Sequence, residues 1–162
     1  LRTAEQYGYD FSLLRGVLEV NERQRDHIVD HIRAMAGGQL ASTRIAVLGL
    51  TFKANTDDLR DSPALSIAAE LVDAGAAVRA FDPVAAEAAR AEVPGLEIAA
   101  DPYDACEGAQ VLALLTEWDQ FRWLDYTRVA AAMAEPRVVD ARNLLDPAAM
   151  RRLGFAYQGV GR

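Results

Sequence analysis

The chain changes its hydrophobic rhythm near residue 40. Before that point Leu14, Leu18, Ile28, Ile32 and Met35 recur close to one face of a helix, with a gap in the middle, so residues 1 to about 36 are predicted helical. The gap is Asn21-Glu-Arg-Gln-Arg-Asp-His27, which places Asn21 and Gln24 or Arg25 on the apolar face. It reads either as a solvated turn of helix or as a hydrogen-bonded network within a helix–helix interface, since buried polar groups must be paired. Ala36-Gly37-Gly38 ends the helix and a linker runs to Thr43. From Arg44 onward short apolar runs alternate with helical stretches. The runs predict strands at Ile45–Leu48, Ala77–Phe81, Val111–Thr116 and Val138–Asp140, with weaker ones near Leu96–Ile98 and Phe155–Tyr157. Helices are predicted over Ala64–Ala74, Ala85–Glu92, Tyr126–Met133 and Pro147–Arg152, with Ser62 capping the first, Pro63 at its opening position and Gly75 as its left-handed exit.

Strands alternating with helices of this length predict right-handed crossovers and an α/β fold. The expected architecture is a Rossmann-like, mostly parallel sheet with helices on both faces, preceded by a helical arm. Two units follow: residues 1–36 as a helical segment that belongs to a neighbouring domain, and residues 44–162 as the sheet domain.

Composition narrows what such a domain does. At 162 residues the chain can bury an ordinary core, and none of its apolar runs approaches the length of a membrane span. A net charge of -7 argues against a general nucleic-acid binder, which needs a broad positive face. It leaves room for one anionic small molecule, because two or three local cations suffice for a diphosphate. A single cysteine, Cys106, and no visible secretory pattern fit a reducing, cytoplasmic setting. Leucine in the first position suggests a piece of a longer protein.

The candidate chemistry gathers where strands end. After the first strand, Gly49 leads into a polar loop holding Lys53, Asn55, Thr56, Asp57, Asp58 and Arg60 before Ser62-Pro63. Strand C-termini are where open α/β sheets bind ligands, so a phosphate-bearing ligand is the first hypothesis. The loop lacks both G-x-G-x-x-G and the P-loop spacing, so ligand contacts would come from side chains such as Lys53. The alternative is that Lys53 and Arg60 pair with Asp57, Asp58 and Asp61 in a surface salt-bridge loop. Thr116-Glu-Trp-Asp-Gln-Phe121 and Asp140-Ala-Arg-Asn143 follow later strands and share the same edge, where Arg142 is a second cation. Trp118 and Phe121 read as core packing. Asp82-Pro83 reads as a capping turn, because the ribose-holding role of an acid there has no glycine turn to support it. His27 and His31 share a helix face but lack a third ligand and the H-E-x-x-H glutamate, so no metal site is expected. Cys106 has acidic neighbours in Asp104 and Glu107 and reads as packing, and no catalytic set is evident.

Three long motifs, GLTFKANTDDLRDSPALSIAAELVDAGAAVRAFDP, TEWDQF and VVDARNLLDPAAMRRLGFAYQGVGR, occur in this order, with VNERQ near the start. Together they resemble the C-terminal part of the UDP-glucose/GDP-mannose dehydrogenase family, and the resemblance covers essentially the whole chain. It implies the UDP-sugar-binding Rossmann-like domain, preceded by the end of a central helical dimerisation domain. Phe52, Lys53 and Arg142 would contact the UDP-sugar, Arg60 would face NAD, and Asn55, Thr56, Asp57 and Asp58 would shape the loop. Asn21 and Gln24 would suit the family's dimer contact. Ala54 stands where many members have proline, which should loosen the loop slightly. Ala141 stands where many have glycine, which bears on how Arg142 is oriented.

The implied reaction is NAD-dependent oxidation of UDP-glucose to UDP-glucuronate in two steps through a catalytic cysteine. Both that cysteine and the NAD domain would lie upstream, so this chain alone would be inactive. A related dehydrogenase for GDP-mannose or a UDP-N-acetylhexosamine, or a free-standing nucleotide-binding module, is the alternative. The implied partners are the UDP-sugar, the remainder of the same polypeptide and a second copy in a homodimer, with no nucleic acid and no membrane. A cytoplasmic role in polysaccharide biosynthesis follows.

Overall fold

Ile45 to Leu48 form a strand because four apolar side chains in succession find cover on alternate faces of a sheet. In the computed structural model, which describes residues 6–8 and 10–161, strand Arg44–Leu48 (β1) lies within a six-stranded sheet. The other strands are Ala77–Phe81 (β2), Glu97–Ile98 (β3), Val111–Leu114 (β4), Arg137–Asp140 (β5) and Ala156–Gly159 (β6). The order is β3-β2-β1-β4-β5-β6 and every pairing is parallel. Ile45 pairs with Val78 on one side and Val111 on the other. The expected Rossmann-like α/β fold is therefore observed, and the strand order reverses between β1 and β4.

The helices are Ser12–Met35 (α1), Pro63–Asp73 (α2), Ala86–Glu92 (α3), Pro102–Cys106 (α4), Asp119–Arg122 (α5), Tyr126–Ala132 (α6) and Pro147–Arg152 (α7). The pleat divides the core. Ile45 and Val47 point into one cluster with Ile28 and Ile32 of α1, Ile67 and Leu71 of α2, and Ala89 of α3. Ala46 and Leu48 point into a second cluster with Cys106, Phe121, Val129 and Met150. α2 is fixed at its start as expected. Ser62 Oγ accepts from Leu65 N at 3.3 Å and donates to Leu50 O at 2.7 Å, so the cap also ties the helix to the loop after β1. Gly75 leaves the helix at φ 84°, and Gly37 and Gly38 at 86° and 94° end α1.

Most boundaries fall within two residues of the sequence expectation, and the larger differences are these. Part of the predicted helix falls on residues 1–5 and 9, outside the described residues, and α1 begins only at Ser12, after a turn in which Gly8 has φ 68°. β4 stops at Leu114 because the chain turns toward the loop after β1: Leu115 N donates to Leu48 O and Thr116 Oγ1 to Thr51 O. The short α5 was not predicted; its Phe121 is fully buried, as expected for that residue. α1 itself is buried only at Ile28, Val29 and Ile32, and its packed half meets α2 and β5, where Arg137 Nη1 donates to Met35 O at 2.6 Å. Among the described residues no helix is long and apolar enough to cross a membrane.

Cys106 has the packing environment that its neighbours suggested. It is fully buried, and burial pushes its thiol from an ordinary 9.0 up to about 12, with Asp101 adding to the shift. A thiol-specific aromatic disulfide is expected to modify Cys106 at least about 100-fold more slowly in the native protein than in urea, because only the thiolate reacts. Fast native modification, followed by absorbance at neutral pH, would contradict the burial. The folded state holds the Cys106 proton more tightly than the unfolded chain. This contribution is present below about pH 9 and is lost as pH rises toward about 12.

Candidate functional site

Three loops meet at the C-terminal edge of the sheet: residues 49–62 after β1, 115–118 after β4 and 140–145 after β5. The first two are joined through Thr51, which is fully buried. Its carbonyl accepts from Thr116 Oγ1 at 2.8 Å, and its hydroxyl accepts from Trp118 Nε1 at 3.2 Å. Asp82, at the end of β2, holds the same turn. Its Oδ2 accepts from Leu50 N at 2.8 Å and Thr51 N at 3.2 Å, while Oδ1 accepts from Val84 N and Ala85 N. The capping role expected of Asp82 is present. Its second oxygen does something the sequence did not disclose: it anchors the loop that carries Phe52 and Lys53. With both oxygens engaged and Thr51 sealed beneath Trp118, the turn after β1 offers neither the acid nor the glycine cradle that a dinucleotide would need. NAD therefore does not fit the crossover within this chain.

The third loop is built on Asp140, which is fully buried. Oδ1 accepts from Arg142 N at 3.1 Å, and Oδ2 accepts from Leu145 N and Tyr157 Oη, both at 2.9 Å. Asn143 takes the left-handed conformation that closes the turn, at φ 52°. The left-handed position is therefore Asn143 and not Ala141, so alanine is accommodated there. Arg142 Nε donates to Leu115 O at 2.8 Å, and Nη2 lies 3.5 Å from Phe52 O. The guanidinium is held by backbone from two other loops.

Phe52, Lys53 and Arg142 line one cleft of about 740 Å³, closed on its far side by Asn21, Gln24 and Arg25 of α1. Asn21 and Gln24 are exposed in the single chain and line this cleft. Phe52 is 46% exposed, an aromatic face open to a ligand. Among the described residues Lys53 forms no ion pair, while Arg142 lies 3.0 Å from Glu117. The cleft thus offers an unpaired ammonium and a positioned guanidinium beside an aromatic ring, a set suited to a phosphate-bearing ligand. Glu117 was missed as a cleft residue, although its place three residues beyond β4 was visible in TEWDQF.

Arg60 is not part of this cleft. It borders a separate depression with Thr56, Ala88 and Glu92. Its Nε and Nη2 donate to Asp58 at 2.9 and 2.8 Å, and this pairing holds the Asp58 carboxyl down to about 2. The salt-bridge reading of the loop thus holds for Arg60 and, among the described residues, not for Lys53. His27 and His31 have ring centroids 6.3 Å apart, and no group of three or more His, Cys, Asp or Glu able to hold a metal occurs among the described residues.

The fold and the cleft define a Rossmann-like domain that presents side chains, in place of a glycine turn, at its ligand edge. Residues 46–147 match the UDP binding domain of the UDP-glucose/GDP-mannose dehydrogenase family, and the chain belongs to that family. It is 42% identical over 168 residues to a UDP-glucose 6-dehydrogenase of Pseudomonas aeruginosa and 41% identical over 162 residues to that of Rhizobium meliloti, in each case across 100% of the chain. It spans only 37% of the length of either relative. A solved UDP-glucose dehydrogenase from Pyrobaculum islandicum superposes with a TM-score of 0.81 at 32% identity, over 98% of this chain and 34% of that one.

Proposed function

We propose that this chain is the substrate-holding part of an NAD-dependent UDP-glucose 6-dehydrogenase that oxidises UDP-glucose to UDP-glucuronate. The observation that carries the reading is the unpaired Lys53 beside Phe52 and the backbone-held Arg142 in one cleft at the sheet's switch point. Lys53 and Arg142 neutralise the diphosphate, Arg142 from the sugar end of the substrate, and Phe52 gives the ligand an apolar face. Asp82 and Asp140 hold these side chains in place before the ligand arrives, which lowers the cost of ordering them on binding. α1 and the three loops exclude water from one side of the bound sugar. NAD, when bound by the remainder of the polypeptide, accepts hydride from the sugar. Arg60 borders a separate depression from the substrate cleft, and a cofactor-side contact is the role we propose for it. The aliphatic side chains of Leu13, Val17 and Val20 stand exposed on α1, which supports a homodimer built on this helix. A cytoplasmic enzyme supplying polysaccharide synthesis is the setting we propose.

The full-length protein is expected to bind UDP-glucose in calorimetry at least about tenfold more tightly than GDP-mannose. The 162-residue chain alone is expected not to reduce NAD with UDP-glucose. Equal or tighter binding of GDP-mannose would move the substrate to another sugar nucleotide of the family. Turnover by the isolated chain would remove the division of labour.

A further inference from the structure

Arg142 has one hydrogen on Nε and two claims on it. That hydrogen goes to Leu115 O at 2.8 Å, while Glu117 Oε2 sits 3.0 Å from the same nitrogen. Glu117 Oε2 is buried and has no hydrogen-bond partner. Glu117 therefore contributes charge to Arg142 without orienting it. Orientation comes from Leu115 O on the Nε side and from Asp140 through the backbone of Arg142. The rest of the Glu117 side chain is 41% exposed and lines the cleft that Lys53 and Arg142 open onto.

Resting on the reading that this cleft takes a phosphate-bearing ligand, we propose that Glu117 is a resident counter-charge on Arg142 that weakens the site's grip on that ligand. An incoming phosphate shares the guanidinium with a carboxylate whose backbone is fixed beside it, because Thr116 and Trp118 on either side are both hydrogen-bonded to Thr51. Repulsion between that carboxylate and the ligand acts at short range in a partly dry cleft, where a single charge changes affinity by about three- to tenfold. Glu117 thereby sets how readily the anionic nucleotide is released, and it favours ligands that carry enough charge to compete.

The test is calorimetric binding of UDP and of inorganic pyrophosphate to the full-length protein and to Glu117→Gln, Glu117→Ala and Lys53→Ala, at low and high salt. Both Glu117 variants are expected to bind both probes about three- to tenfold more tightly at low salt, with the gain shrinking at high salt. Lys53→Ala is expected to bind UDP more weakly. Unchanged binding by Glu117 variants whose melting matches wild type would overturn the proposal, and weaker binding would overturn it and show that the carboxylate orients Arg142 after all. Tighter pyrophosphate binding in those variants, with no UDP binding by any protein, would support the Glu117 role and overturn the nucleotide reading of the cleft.

Discussion

Replacing Lys53 by alanine is expected to weaken binding of UDP-glucose by about 10- to 150-fold and to leave stability almost unchanged. The magnitude is that of one charge-assisted hydrogen bond to a phosphate oxygen, about 1.5–3 kcal/mol. The selectivity for binding over stability follows from the state of Lys53: an exposed ammonium that forms no ion pair among the described residues contributes little to the fold when it is removed. Arg142→Ala is a less clean comparison, because Arg142 also bridges Leu115 O and approaches Phe52 O, so its removal frees two loops as well as a charge. Calorimetric titration paired with thermal melting separates the two cases. Lys53→Ala should lose affinity at an unchanged melting temperature, whereas Arg142→Ala should lose both. A Lys53→Ala protein that binds UDP-glucose as wild type does would remove the lysine from the site.

The two substitutions also mark the limit of what the sequence discloses. That Lys53 and Arg142 share an edge was legible, because each follows an apolar run long enough to be a strand, and parallel strands put all such ends on one side. That Lys53 is unpaired while Arg60 is locked to Asp58 was not. Asp57, Asp58 and Asp61 all stand near both cations in sequence, and the pairing is decided by the backbone: Asn55 and Asp61 take left-handed conformations at φ 62° and 53°. Along that loop Lys53 and Arg60 line different openings.

The acids were read locally for the same reason. Asp82 was legible as the cap of the turn it begins, through Val84 and Ala85, because such bonds span two or three residues. Its bonds to Leu50 and Thr51 join residues 32 and 31 positions apart and arise only once β1 and β2 lie side by side. Glu117 depends in the same way on β4 and β5 lying side by side, since its neighbour Arg142 comes from the loop after β5. A strand pattern tells which residues reach an edge. It does not tell which of them meet there.

Gly49 lets the loop after β1 approach Thr116 closely, and its replacement by alanine is expected to be a very damaging small change in the domain. Gly49 has φ +88°, and a Cβ there would lie 2.5 Å from Thr116 Cβ and 2.8 Å from Thr116 N. The obstacle includes backbone held in the turn between β4 and Trp118, so it cannot rotate aside. The left-handed conformation costs about 1–2 kcal/mol for any residue with a Cβ, and overpacking adds about 1–3 kcal/mol, for a total of about 2–5 kcal/mol. Gly154 supplies the internal control. It has nearly the same φ, +89°, with nothing within 4 Å of its added Cβ, so Gly154→Ala should cost only the conformational part. Chemical denaturation should therefore separate the two variants by about 1–3 kcal/mol. Gly49→Ala should also lose nucleotide affinity, because the clash pushes Thr116 away from Thr51 and loosens the loop that presents Lys53. Equal destabilisation by the two alanines would mean that Gly49 is required for its backbone angle alone and that the loops after β1 and β4 are not in register through Thr116.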